Sequence, residues 1–244
     1  MHLALSSRPD EEDFAPEPFS VLYQRSVFQS MRALLRRVFQ DLKSNLRNLP
    51  EPSREEASSL LQSEPIIVDR LQKFMSRKFS AMRIRIHGDY HLGQVLYTGK
   101  DFIIIDFEGE PIRELTERRL KHSPFKDVAG MIRSFHYAVH NAALKQASIR
   151  PKDASRLEPW TNLWYRYVSE IFLGSYLDAV KTATFLPSDK EELKIMLSAY
   201  LLEKAVYELG YELNNRPEWV LTPLRGIRDL MEIEKFPSSE ARGT

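Results

Sequence analysis

Residues 85–110 read Arg-Ile-His-Gly-Asp-Tyr-His-Leu-Gly-Gln-Val-Leu-Tyr-Thr-Gly-Lys-Asp-Phe-Ile-Ile-Ile-Asp-Phe-Glu-Gly-Glu. Just before and into this stretch, Met82, Ile84 and Ile86 alternate with Arg83 and Arg85, the period of a strand with one buried face. His87-Gly88-Asp89 follows as a turn carrying a carboxylate. Val95 to Thr98 and Phe102 to Ile105 predict two short strands around the turn Gly99-Lys100-Asp101. Asp106, Phe107 and Glu108 come directly after the second strand. Two acidic groups are thereby brought to one end of a small sheet, with His91 and Gln94 in the loop between them.

That arrangement suits phosphoryl transfer to a hydroxyl. Such chemistry needs a carboxylate at the acceptor hydroxyl and oxygen ligands for Mg²⁺ on the nucleotide. Asp89 can do the first. Gln94 and Asp106 can do the second, because Mg²⁺ is a hard ion that prefers oxygen. Kinase loops place an amide side chain five positions after the catalytic Asp, and a metal-binding Asp beyond it. Here Gln94 is five after Asp89 and Asp106 seventeen after, with Gln where Asn is usual.

The two segments His87 to Leu96 and Ile105 to Pro111 together resemble bacterial maltokinases. The resemblance runs from His2 to about Met231. It implies a mainly α fold with a small β-hairpin sheet, the helical C-terminal lobe of a protein-kinase-like (aminoglycoside phosphotransferase-like) enzyme. It implies ATP and Mg²⁺ as cofactors, maltose as the acceptor at its anomeric hydroxyl, and a trehalose synthase domain or subunit as partner. Lys204, Tyr207 and Glu208 match a Lys-x-x-Tyr-Glu pattern that holds the sugar, and His91 and Glu108 are assigned to the substrate with them. Asp127 is implied to brace the catalytic loop.

No glycine precedes Gly88, so the glycine-rich phosphate loop and strand lysine of a kinase have no counterpart in residues 1–87. The expectation is the carboxyl-terminal part of a longer enzyme, with residues 2–7 the end of a helix from a preceding lobe. Two alternatives stand beside it: a sugar-binding or interaction module without activity, and a phosphotransferase for another hydroxyl, such as an aminoglycoside or choline.

With 244 residues, 43% hydrophobic, the chain can bury a sizeable core. A net charge of +1 gives no case for nucleic acid or an anionic membrane. The absence of cysteine fits a reducing, cytoplasmic setting. No apolar run approaches a membrane span.

The division expected is residues 1–19 as a helix end plus an acidic mobile loop, 20–236 as the lobe, and 237–244 as a loose tail. Ser20 caps a long helix ended by Pro50, with Val27, Phe28, Met31, Leu34, Leu35, Val38, Phe39 and Leu42 inward. Arg32, Arg36, Arg37 and Lys43 form its solvated face. Ser53/Glu56 and Ser188/Glu191 read as capping boxes. Pro65 starts a further helix. Arg113, Arg118, Arg119, Lys121 and His122 read as a solvated connector. Helices are predicted over 125–149, 155–184, 188–213 and 223–233. Trp160, Leu163, Trp164, Tyr167, Ile171 and Phe172 read as a core stripe of the second. His136 and His140 share a helix face, but with no third ligand in the sequence pattern they read as ordinary packing.

Overall fold

The computed structural model describes residues 1–109, 114–150, 152 and 154–233, and builds them mainly from helices. In chain order these are α1 (His2–Leu5), β1 (Glu17–Pro18), α2 (Val21–Asn45), α3 (Ser53–Gln62), α4 (Glu64–Lys73) and β2 (Met82–Arg83). Then come β3 (Val95–Tyr97), β4 (Phe102–Ile104), α5 (Leu115–Arg118), α6 (Phe125–Ile149), α7 (Ala154–Ala179), α8 (Lys190–Asn215) and α9 (Leu221–Ile233). No helix among the described residues is long and apolar enough to cross a membrane.

The core forms where α8 lies against α2, α6 and α9. On α2, Phe28, Met31, Leu35, Val38, Phe39 and Leu42 fall on one side at three- and four-residue spacing and are buried. They share a cluster with Met196, Tyr200, Val206 and Leu209 of α8 and with Val128, Ile132 and Phe135 of α6. Each such side chain removed from water contributes about 1.5–3 kcal/mol before chain entropy is counted. As expected, the Ser20 hydroxyl accepts the Tyr23 amide and caps α2.

Both sheets are two-stranded and antiparallel. In the hairpin, Val95 faces Ile104, Leu96 faces Ile103 and Tyr97 faces Phe102. The strand expected over 82–86 shortens to β2, which pairs with β1, followed by a single bridge from Ile84 to His122. Its alternation persists, since Ile84 and Ile86 are buried with Val180 and Phe185.

Several expectations are corrected. Ser53 lies inside α3, whose turn already starts with the Arg54 amide on the Pro50 carbonyl, so no capping box forms there. The cap of α8 is Asp189, not Ser188. Its carboxylate accepts the Glu192 amide at 2.8 Å and an Arg77 N–H at 3.0 Å, a charge-assisted pair that a serine hydroxyl cannot match. Lys121 is buried, donating to the Glu12 carbonyl and the Glu17 carboxylate, so this part of the connector ties down the 8–17 segment instead of standing in solvent.

The aromatic stripe of α7 is the largest reversal. Trp160, Leu163, Trp164, Tyr167 and Ile171 are exposed, while Tyr165, Val168 and Phe172 join the core. Apolar residues surround most of this helix, α6 packs against it from one side, and the periodicity could not say which side. Glu110, Pro111, Arg113 and the expected tail lie outside the described residues.

Gly130 sets how closely α6 approaches the loop after β2, because a Cβ there would lie 2.6 Å from the Tyr90 carbonyl oxygen. Gly174 on α7 has open space around its Cβ position. Gly130→Ala is therefore expected to cost roughly 1–3 kcal/mol in urea unfolding. Gly174→Ala should stabilise by up to about 1 kcal/mol, as for any exposed helical glycine. Equal effects would remove the close approach from the account.

Candidate active site

The loop carrying Asp89 is held from below by a carboxylate. Asp127, in the first turn of α6 and 1% exposed, accepts the His87 amide at 2.7 Å with Oδ2 and the Gly88 amide at 2.9 Å with Oδ1. His2 of α1 meets the same carboxylate through Nε2 at 3.0 Å, and its Nδ1 lies 2.9 Å from the Tyr176 hydroxyl. The bracing role implied for Asp127 is thus present in the geometry. Gly88 turns at φ 89° and Gly109 at φ 77°, and a Cβ on Gly88 would lie 3.3 Å from the Gly109 Cα. Only glycines allow both the positive φ and that approach.

His87 joins the two acidic segments. Its Nε2 lies 2.8 Å from the Ile105 carbonyl, which can only accept, so Nε2 carries the proton and Nδ1 is left to accept the Asp89 amide at 3.3 Å. Its ring stacks at 4.8 Å on Phe107. The residue before Asp106 is therefore fixed relative to Asp89. Asp106 itself sits at φ 63°, in the left-handed region where Asp is tolerated better than most residues. Such outliers persist where surrounding contacts impose them, often at functional sites. Gln94 donates its amide N–H to Asp106 Oδ2 at 3.0 Å. This leaves the Gln94 amide oxygen and Asp106 Oδ1 without a role in that bond, and such hard oxygen donors are the kind that Mg²⁺ takes.

Asp89 is half-buried and stands where two cavities meet. One, of about 290 Å³, is lined by Arg37 and Leu34 of α2, Lys126 of α6, and Tyr200, Glu203 and Lys204 of α8. The other, of about 560 Å³, is lined by His91, Ser134, Tyr137, Glu208, Tyr211 and Glu212. Asp89, Gly130, Lys204 and Tyr207 border both. His91 Nδ1 accepts the Gly93 amide at 3.0 Å, so the Nε2 proton points toward Asp89 Oδ2, 3.6 Å away. At that distance the N–H reaches the carboxylate as a long, weak donor contact. His91, with Lys204, holds the Asp89 carboxyl below the usual range against the opposing effect of burial. Asp89 is therefore an anion near neutral pH, able to accept a hydrogen bond from a hydroxyl and to take up its proton as that oxygen reacts.

The wall of the larger cavity is built of charge pairs. Arg133, fully buried on α6, donates from Nε to Glu208 Oε2 at 2.9 Å. Glu212 takes two N–H groups of Arg216 and the Tyr137 hydroxyl, and burial raises its carboxyl above the ordinary range. The Lys204 ammonium lies 5.0 Å above the Tyr207 ring.

Of the residues read from sequence, Asp89, His91, Lys204, Tyr207 and Glu208 gather around the cavities, and Gln94 and Asp106 meet each other. Glu108 is exposed and lines neither cavity. Sequence reasoning assigned no role to His87, Arg133 or Arg37. Nothing in the local pattern marks Arg133, and Arg37 sits among Arg32, Arg36 and Lys43 on the face read as solvated. His87 could have been suspected from its place directly before Gly-Asp.

No family model matches the sequence. It is similar to a glucosamine kinase of Mycolicibacterium smegmatis, 29% identical over 152 residues, which are 60% of this chain and 34% of that protein. It is similar also to a glucosamine kinase of Streptacidiphilus jiangxiensis, 26% identical over 150 residues, 61% of this chain and 32% of that one. Among solved structures, a glucosamine kinase (crystal form B) superposes with TM-score 0.69 at 21% identity, over 95% of this chain and 51% of that chain. A glucosamine kinase in complex with glucosamine, ADP and inorganic phosphate gives 0.67 at 22% identity, over 96% and 52%. The chain thus spans about a third of the matched curated relatives and about half of the solved chains. Its fold is that of the helical C-terminal portion of glucosamine kinase, a kinase-like fold.

Proposed function

We propose that this chain is the acceptor-binding and catalytic lobe of an ATP-dependent sugar kinase, and that its acceptor is maltose, phosphorylated at the anomeric hydroxyl. The observation that carries the reading is Asp89 standing between two joined cavities, one on either side of it. A disaccharide needs room for two rings around a single reacting hydroxyl. It also presents apolar ring faces and many hydroxyls, which suit Tyr207 and Tyr211 beside Lys204, Glu208 and His91.

In the reaction the acceptor oxygen bonds to the γ-phosphorus of ATP, the bond from that phosphorus to the β,γ-bridging oxygen breaks, and ADP leaves. Asp89 accepts a hydrogen bond from the sugar hydroxyl, aims it, and receives its proton as the new bond forms. Gln94 and Asp106 would hold Mg²⁺, which when bound offsets charge on the transferring phosphoryl group. Residues 1–87 contain no glycine, so a glycine-rich phosphate loop is not among them. A trehalose synthase domain or subunit is the partner the sequence resemblance suggests, in the cytosol where ATP is available.

Glucosamine is the second reading. The similar proteins are glucosamine kinases, and Glu208 and Glu212 place carboxylates where an ammonium group could dock. Titrating the 244-residue chain with maltose, glucosamine and glucose by NMR separates the readings. Maltose should perturb resonances on both sides of Asp89, weakly, and Tyr207→Ala should abolish this with folding intact. Preferential response to glucosamine would replace maltose, and no response to any sugar would defeat the acceptor assignment.

In the complete, active polypeptide, Asp89→Asn should lower turnover on the order of 10²- to 10⁴-fold with near-normal folding. Wild-type turnover in that variant would remove Asp89 from the mechanism.

The pH dependence has a definite sign. Asp89 works as the anion, so kcat/KM falls as pH drops through its pKa. His91 is the largest influence lowering that pKa. His91→Gln should therefore move the acid limb of kcat/KM to higher pH. An acid limb that stays in place would show that Asp89 and His91 are not coupled.

A further inference from the structure

The interface of α6 and α9 holds a second constellation that the proposed reaction does not use. His136 and His140, one turn apart on α6, lie with ring centroids 4.0 Å apart, and Asp229 reaches them from α9. The sequence spacing offered two imidazoles without a third ligand; the fold supplies the third. His136 Nε2 is 3.6 Å from Asp229 Oδ2, and one ligand atom from each residue lies within 4.8 Å of the other two. His136 is 0% exposed and His140 7%. Neither ring nitrogen of His136, nor Nε2 of His140, has a hydrogen-bond partner. Unsatisfied buried polar atoms are costly, and native interiors hold few.

We propose that His136, His140 and Asp229 bind a divalent transition-metal ion of the zinc class. Two imidazoles and one carboxylate are a borderline-soft donor set, suited to Zn²⁺, Co²⁺ or Fe²⁺ and unlike the all-oxygen set offered by Gln94 and Asp106. Ligand atoms about 2.0–2.1 Å from zinc sit roughly 3.3 Å apart in a tetrahedron, so small side-chain rotations close the cluster onto an ion. Burial keeps both imidazoles neutral, His136 well below its ordinary pKa and His140 down to about 4, and the neutral ring is the form that ligates.

The positive groups nearby are largely engaged by other carboxylates. Arg133 is paired with Glu208, while Arg225 and Arg228 meet Glu56. Arg228 also approaches Asp229, but through Oδ1 at 3.4 Å, leaving Oδ2 toward His136. Three protein ligands leave one position for water or another donor. The ion would pin α9 to α6 behind the Arg133–Glu208 pair, and so stiffen the rear wall of the larger cavity.

The test uses the chelator-stripped 244-residue chain and Zn²⁺ alone. One Zn²⁺ per chain is expected by calorimetry, with a rise in Tm that a chelator reverses. Stoichiometric binding should be lost in His140→Gln and in Asp229→Asn. Zinc-edge X-ray absorption of the wild-type chain should show two imidazoles, which decides the matter even where a variant fails to fold. No stoichiometric binding, binding that survives in a folded His140→Gln, or fewer than two imidazoles at the metal would each overturn the site.

Discussion

Two backbone N–H groups and one buried carboxylate organise the half of this molecule that carries Asp89. The Asp127 carboxylate, itself buried, accepts the amides of both buried His87 and partly buried Gly88. Hydrogen bonds to a charged group are worth about 1.5–3 kcal/mol each, and removing the acceptor would leave the buried His87 donor stranded at similar cost. The bond pair fixes the chain at the point where it enters the Asp89 turn. His87 then extends the same order through its side chain to Ile105, one residue before Asp106. One helix N-terminus thus governs two carboxylates that are far apart in sequence.

The acceptor side follows a different principle. Its wall comes from α8, whose inner face belongs to the main core and whose cavity face carries Lys204, Tyr207, Glu208, Tyr211 and Glu212. Those groups are held by partners: Glu208 by Arg133, and Glu212 by Arg216 and Tyr137. Side chains locked in this way lose little further entropy when a ligand arrives, which is how preorganised sites gain affinity. The same engagement limits how much negative charge the cavity offers to a ligand.

Much of this was legible in the sequence because it is local. The hairpin, the loop carrying Asp89 and the long helices all rest on short-range periodicity and turn chemistry. Spacing placed Asp89, Gln94 and Asp106 in order before any fold was known. What sequence could not give was the outcome of competition between surfaces. The α7 stripe looked like core because it is aromatic, but α6 packs on the side carrying Tyr165, Val168 and Phe172. Ser53 and Ser188 looked like caps, yet neighbouring backbone and a stronger acceptor took those positions. Asp229 could not be joined to His136 and His140 from spacing, because only the packing of α9 against α6 brings them together.

The Asp127 carboxylate holds the Asp89 loop through the His87 and Gly88 amides. Residue-resolved amide hydrogen exchange measures those two bonds directly. Both amides should exchange as slowly as core amides of α6 in the wild-type chain. In Asp127→Asn, which has a single acceptor oxygen, protection should fall at His87 and Gly88 before it falls in α6. Fast exchange at both amides in the wild-type chain would contradict the claim.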